Sequence, residues 1–175
     1  MTMHDIETDR LKLVLPAASH LPAYVAYCGS ARSRYVGGPY DPAKAFEKFC
    51  AMAGHWAMRG FGRYVLIHKA SGQPIGHLGA LQIDAAELPE LTWTLWDGAF
   101  EGQGYAFEAV KAYLDHSSMV RGPSTFLIRI EYDNQRSLKL AHRIGAERNE
   151  TAQPPKWMPK AITYRLKHHP CGPVD

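Results

Sequence analysis

Cysteine is scarce in this 175-residue sequence: Cys28, Cys50 and Cys171 stand far apart, with no C-x-x-C pair among them. An odd, scattered set excludes a disulfide framework and a zinc knuckle, and it predicts a reducing, cytoplasmic setting. No apolar run approaches the roughly 20 residues of a membrane-spanning helix. The start, Met1-Thr2-Met3-His4-Asp5, is polar and acidic where a secretory leader would be basic and then apolar. Neither a membrane span nor a leader is expected. A strong charge of one sign is also missing, because 20 basic and 17 acidic residues are scattered along the chain and leave a net +3. That balance excludes the basic stripe of a nucleic-acid binder, although one loop and a few cations can still hold a small anion. No G-x-S-x-G elbow of a serine hydrolase and no internal repeat occurs. His168-His169 and Cys171 belong to a Pro-rich tail without further ligands at metal spacing, so no metal is expected. His55, His68, His77, His116 and His142 occur singly and suit surface or satisfied, partly buried imidazoles.

What is present suits a globular α/β protein. Apolar residues make up 46% and charged residues 21%, near the soluble average, and the length suffices for one domain over 1–175 with an ordered core over about 8–168 and a tail over 169–175. Arg10 to Leu15 alternates as a half-buried strand does. Ser19 is placed to cap a helix reaching Cys28, and the Gly-rich segment 29–41 predicts a loop. Pro42 opens a second helix whose apolar face is Ala45, Phe46, Phe49, Met52, Ala53 and Trp56. Arg63 to Lys69 and Pro74 to Ile83 form a hairpin around Ala70-Ser71-Gly72-Gln73. Glu90 to Trp96 is a strand with Leu91, Trp93 and Leu95 on one face and Glu90, Thr92, Thr94 and Trp96 on the other. A glycine loop then leads to a helix carrying Ala106, Ala109, Val110, Tyr113 and Leu114, followed by a strand over Ser124 to Glu131, in a parallel crossover. Asn134 caps a further helix that ends at Gly145, and two short strands near 146–151 and 161–167 finish the chain. The expectation is a mostly antiparallel mixed sheet of six to seven strands with one parallel pair, flanked by about four helices.

The loop Gly102-Gln103-Gly104, between a strand and a helix, is where backbone N–H groups can converge on a phosphate. The same spacing also suits an ordinary tight turn. A dinucleotide fingerprint fails, since Phe107 occupies its third glycine position and the preceding strands form a hairpin. A Walker loop fails for want of Gly-Lys-Ser or Gly-Lys-Thr.

The segment Glu90 to Val110, with Asn134-Gln135-Arg136-Ser137 and Ile144-Gly145-Ala146, resembles the GNAT superfamily of N-acetyltransferases. It is most similar to the branch containing the Rim-type ribosomal-protein N-terminal acetyltransferases. Thr8-Asp9-Arg10-Leu11, Tyr35-Val36-Gly37-Gly38-Pro39 and Ser71-Gly72-Gln73-Pro74-Ile75-Gly76 match that branch in order and separation, so the likeness covers about Thr8 to Lys167. It implies acetyl-CoA as cosubstrate, bound by the Q/R-x-x-G-x-G/A loop that falls on Glu101 to Ala106. Gly104 and Ala106 fit that pattern. Glu101 departs from it, and a carboxylate beside a pyrophosphate is unfavourable, so its side chain should turn away. The backbone amides of Gln103, Gly104, Tyr105, Ala106 and Phe107 should then carry the binding. The pantetheine arm should lie along Leu91 to Leu95, touching Trp93 and Leu95, where the two parallel strands splay apart.

The resemblance further implies direct attack of an amine on the thioester, with Glu90 as the base. The tyrosine acid common in the family falls on Ala141 and is absent. Ser137 holds the position of the Rim-type serine that serves the leaving thiolate, and Asn134 is both cap and cofactor contact. Arg32, Arg34, Tyr35 and Tyr40, with the loop near Trp157, are expected at the acceptor, a peptide N-terminus or small-molecule amine, in a monomer or homodimer. A non-catalytic acyl-CoA sensor is the alternative that Glu101 and Ala141 leave open.

Overall fold

A computed structural model describes residues 5–120 and 122–168. The predicted tail 169–175, with His169 and Cys171, lies outside them. Among the described residues eight strands and four α-helices follow in order: β1 (Ile6–Glu7), β2 (Leu11–Val14), α1 (Leu21–Gly29), α2 (Pro42–Arg59), β3 (Arg63–His68), β4 (Pro74–Leu81), β5 (Glu90–Leu95), α3 (Tyr105–Met119), β6 (Thr125–Glu131), α4 (Gln135–Arg143), β7 (Glu147–Arg148) and β8 (Ala161–Lys167). They form one sheet in the order β1-β2-β3-β4-β5-β6-β8-β7. The strand count exceeds the expected six to seven because the two-residue β1 pairs back on β2 through Ile6↔Leu13, too briefly to show a period in the sequence.

Local signals work where side-chain chemistry is explicit. Asp41 accepts the Lys44 N–H at 2.8 Å, Pro42 takes the first turn of α2, and Gly60 ends it in the left-handed conformation at φ 74°. Two details differ from expectation. Ser19 caps nothing, since it lies inside a 3₁₀ turn (Ala18–His20) and α1 starts after His20 with no side-chain cap. Phe46 is exposed, because α2 needs only the stripe Ala45, Phe49, Met52 and Trp56 to cover the sheet. The predicted loop 29–41 contains a 3₁₀ turn over Ala31–Val36.

Strand alternation sorts the apolar side chains into two cores. On one face Leu66, Leu78, Leu91, Phe126, Ile128 and Leu166 pack against Ala109, Val110, Tyr113 and Leu114 of α3 and Ala141 of α4. On the other, Val65 and Trp96 meet Tyr24, Tyr27 and Cys28 of α1 and Phe49 and Met52 of α2. Each fully buried aliphatic or aromatic side chain here contributes about 1.5–3 kcal/mol of transfer free energy. Trp93 and Leu95 stay half-buried beside the first core, and Trp96 enters the second, as the period of two requires.

The one parallel pair positions the site. β5 is fully zipped to β4, from Gly76↔Leu95 to Leu81↔Glu90. Against β6 it keeps a single register pair, Glu90↔Leu127, closed by the Leu127 N–H on the Pro89 carbonyl at 2.9 Å. From Glu90 onward the strands diverge, and the edge of β5 toward Leu95 has no strand partner on that side.

Candidate active site

The loop at the wide end of this splay is built by two glycines at positive φ, Gly102 at 75° and Gly104 at 83°. Side chains other than glycine adopt that region at a cost of about 1–2 kcal/mol. Flanking amides are used: Glu101 N–H bonds the Gly98 carbonyl at 3.1 Å and Glu108 N–H bonds the Gly104 carbonyl at 3.0 Å. Between them, the N–H groups of Gly102 to Phe107 meet no acceptor among the described residues. They are the unsatisfied donors of a helix start gathered by a tight turn, the arrangement that suits a phosphate oxygen. A cleft of about 710 Å³ opens there, lined by Gly102, Gln103, Gly104, Phe107 and the cations Arg10, Lys111 and Arg143.

Arg10 braces this loop. Its guanidinium donates to the Gln103 carbonyl at 2.9 Å and pairs with Glu108 at 2.6 Å, and it lies 4.2 Å from the Tyr105 ring centroid. Burial alone would raise the Glu108 carboxyl, but hydrogen bonds from Thr8 and Arg10 outweigh it and hold that carboxyl below the ordinary value. Tyr105 turns its ring inward, with its hydroxyl 3.1 Å from His68 Nε2, so only its backbone can serve the cleft. Phe107 lies under the Arg143 guanidinium at 3.7 Å.

Glu101 is neutralised where it stands. Its carboxylate pairs with Arg32 at 2.6 Å and also contacts the Arg136 guanidinium from the first turn of α4. Arg32 donates as well to the carbonyls of Leu95, at 3.2 Å, and Trp96, at 3.1 Å, and so ties the end of β5 to the segment after α1. The departure from the Q/R pattern is therefore answered by two guanidiniums, and Arg32, expected at the acceptor, is instead held by Glu101 and the end of β5.

Glu90 stands at the narrow end, and Ser137 meets β5 further along, at Trp93. Glu90 Oε2 accepts from Arg129 of β6 at 2.8 Å, and its side chain keeps only 14% exposure. Burial is the largest influence on its carboxyl and raises it, Arg129 opposes this, and the net result lies above the ordinary carboxylate value. Glu87 also reaches Arg129, at 3.4 Å. Ser137 N–H donates to the Asn134 side chain at 3.3 Å, completing the cap expected of Asn134. Its hydroxyl accepts the Trp93 indole N–H at 3.3 Å, which directs the hydroxyl hydrogen elsewhere. Trp93 thus links β5 to α4 across the gap. Arg34 donates to the Tyr35 hydroxyl at 2.8 Å, whereas the Tyr40 hydroxyl bonds back to the Val36 carbonyl and its ring sits 4.6 Å from Lys48 Nζ. These three residues share one loop but do not form one cluster. Among the described residues no group of His, Cys, Asp or Glu could hold a metal ion.

The family profile described as an acetyltransferase (GNAT) domain matches residues 10–147. The chain belongs to the GNAT acetyltransferase family. As a GNAT protein it is an acyl-CoA-dependent acetyltransferase. An acetyltransferase from Agrobacterium tumefaciens is 31% identical and superposes with a TM-score of 0.85, with 96% of each chain covered. RimL, a ribosomal L7/L12 α-N-protein acetyltransferase solved with coenzyme A, has TM-score 0.78 at 18% identity, covering 94% of this chain and 98% of its own. The Salmonella typhimurium acetyltransferase that modifies the N-terminal serine of L7/L12 has TM-score 0.79 at 16% identity, covering 95% and 100%. At such identities these last two speak for the GNAT fold alone. No curated protein sequence matches significantly.

Proposed function

We propose that this GNAT protein moves an acetyl group from acetyl-CoA to a primary amine of a peptide N-terminus or small molecule, by direct attack in a ternary complex. The observation that carries this reading is the row of unbonded amides from Gly102 to Phe107 at the mouth of a splayed strand pair. The amides of Gln103, Gly104, Tyr105, Ala106 and Phe107 hold the pyrophosphate, with Arg143 beside them. The free edge of β5, with Trp93 and Leu95, takes the pantetheine arm, and Asn134 contacts it from the α4 cap. Acetyl-CoA supplies an activated thioester.

Within that frame Glu90 takes a proton from the amine, directly or through water, as the nitrogen bonds to the acetyl carbon and the carbon–sulfur bond breaks. Its raised carboxyl is nearer the operating pH than an ordinary glutamate, which favours proton transfer. Arg129 fixes one carboxylate oxygen and leaves Oε1 to face the acceptor. Ser137 directs its hydroxyl hydrogen to the departing sulfur. Arg34, Tyr35 and Tyr40 form the acceptor's rim, and the setting is cytoplasmic.

Calorimetric titration with acetyl-CoA, followed by a thiol-release assay over an amine library, tests the proposal. Micromolar binding with amine-dependent thiol release is expected, and Ser137→Ala should slow release about tenfold without weakening cofactor binding. Binding without release from any amine would instead establish a sensor of the same fold. Absence of binding would remove the cofactor assignment itself.

A further inference from the structure

Arg63 opens β3 on the face of the sheet that carries Glu90. It lies opposite Gly79 of β4, which lies opposite Thr92 of β5, two residues along from Glu90. Adjacent strands are about 4.8 Å apart, and Gly79 contributes no side chain between them. The Arg63 guanidinium is thus within side-chain reach of the floor beside Glu90. Its other neighbours are Tyr24 and Tyr27 of α1, whose phenols burial pushes far above their usual range and so keeps neutral. Every other arginine around the site has a bonded partner or an aromatic face: Arg10 has Glu108, Arg32 and Arg136 share Glu101, Arg129 has Glu90, and Arg143 has Phe107. Arg63 makes no side-chain hydrogen bond or ion pair with any described residue. Its residue is only partly exposed, and burial is the main influence opposing its charge. Glu90 attracts it across the sheet without bonding it, because that carboxylate is held by Arg129, so the N–H fork of Arg63 is left for another oxygen.

We infer that Arg63 is the anion-recognition residue of the acceptor site, and that the acceptor is an amine carrying a carboxylate a few bonds from its nitrogen. This rests on the proposed acetyl transfer with Glu90 facing the amine. One planar guanidinium matches one carboxylate in charge and in fork geometry. A phosphate dianion would bring a second negative charge toward Glu90. The neutral phenols of Tyr24 and Tyr27 do not repel a carboxylate. The placement therefore lets one small zwitterion, or an N-terminal residue with an acidic side chain, span from Glu90 to Arg63.

Matched acceptors test this: α-, β- and γ-amino acids, acidic dipeptides, and the same amines as carboxamides. Thiol release should favour the free acids about tenfold or more in kcat/KM. Arg63→Gln should lower the acid-over-carboxamide preference by a similar factor through KM for the acids, beside whatever shift of the pH profile the loss of its charge gives Glu90 with both sets, while Arg63→Lys restores part of the preference. Equal rates for acids and carboxamides would overturn the inference. So would an Arg63→Gln variant that slows acids and carboxamides by the same factor, since that would leave Arg63 only its effect on Glu90. A second readout does not depend on turnover: calorimetric binding of N-acetylated amino acids and their amides to the CoA-loaded protein. Acids should bind the wild type and lose about tenfold in Arg63→Gln. Failure of every acid to bind overturns the anion site. Arg63-dependent binding of acids without thiol release would uphold the anion site and sink only the transfer reading beneath it.

Discussion

The two faces of the sheet bury different things. Toward α3 and α4 the interior is carbon: Phe126, Leu66, Leu78, Leu91, Ile128 and Val110 are all at or below 1% exposure. Toward α1 and α2 the interior admits groups that can carry a proton or a charge, including His77, Arg63, Glu90 and the hydroxyls of Tyr24 and Tyr27. His77 is at 5% exposure, its Nδ1 accepting the Trp96 indole N–H at 2.9 Å. The first face is a support on which the glycine loop is mounted at the rim. The second is where desolvation tunes titratable groups, so acid–base chemistry is to be sought there.

Substitutions on each face can break or sharpen this contrast. Glu90→Gln should have the largest effect, lowering kcat about 100- to 10,000-fold with acetyl-CoA affinity nearly unchanged, although Arg129 loses a charged partner and some stability with it. Because the Glu90 carboxyl is raised, wild-type activity should fall with decreasing pH from above the ordinary carboxylate range. Retained kcat in the variant would remove the base from this face. Phe126→Ala, on the opposite face, should cost about 3–5 kcal/mol of stability in urea unfolding, with kcat per folded molecule preserved. A cost below about 1 kcal/mol would mean that this core is looser than its burial implies.

His77 distinguishes the faces by pH. Burial is the main cause holding its imidazole well below the ordinary 6.5, with Arg63 and Lys48 adding to it. The unfolded chain therefore takes up a proton below about pH 6.5 that the folded chain refuses, and stability should decline by up to about 1.4 kcal/mol per pH unit as pH falls. Above that pH the group contributes no slope. His77→Asn, whose side-chain oxygen can still accept from Trp96, should reduce the slope between pH 6.5 and 5 in denaturation midpoints. It should not abolish it, since burial lowers His20 as well. An unchanged slope would mean that His77 is solvated. Gly104→Ala is the mildest test: the left-handed conformation costs a side chain about 1–2 kcal/mol, seen as roughly tenfold weaker acetyl-CoA binding by calorimetry. Unaltered affinity would detach the loop from the cofactor.

Much of the fold was legible because its signals are local. The hairpin β3–β4 announces itself by alternation around Ser71-Gly72, and α4 by Asn134 at one end and Gly145 at the other. The short β1 and the true start of α1 were hidden, because two paired residues carry no period and α1 begins without a capping side chain. The glycine loop was visible as a possible anion site, and Glu101 as a misfit within it.

The sequence by itself determined the order of strands and helices, the two faces of β5 and the glycine positions of the loop, since these follow from the period of the side chains and from φ preferences of single residues. Tertiary structure alone decided the pairing of charges. Glu101 meets Arg32 from the α1 side and Arg136 from α4. Glu90 meets Arg129 from the neighbouring strand, while Arg63 on the same face acts on it without a bond. Ion pairing depends on distance in space, and these partners lie 35 to 69 residues apart along the chain, where no sequence period connects them.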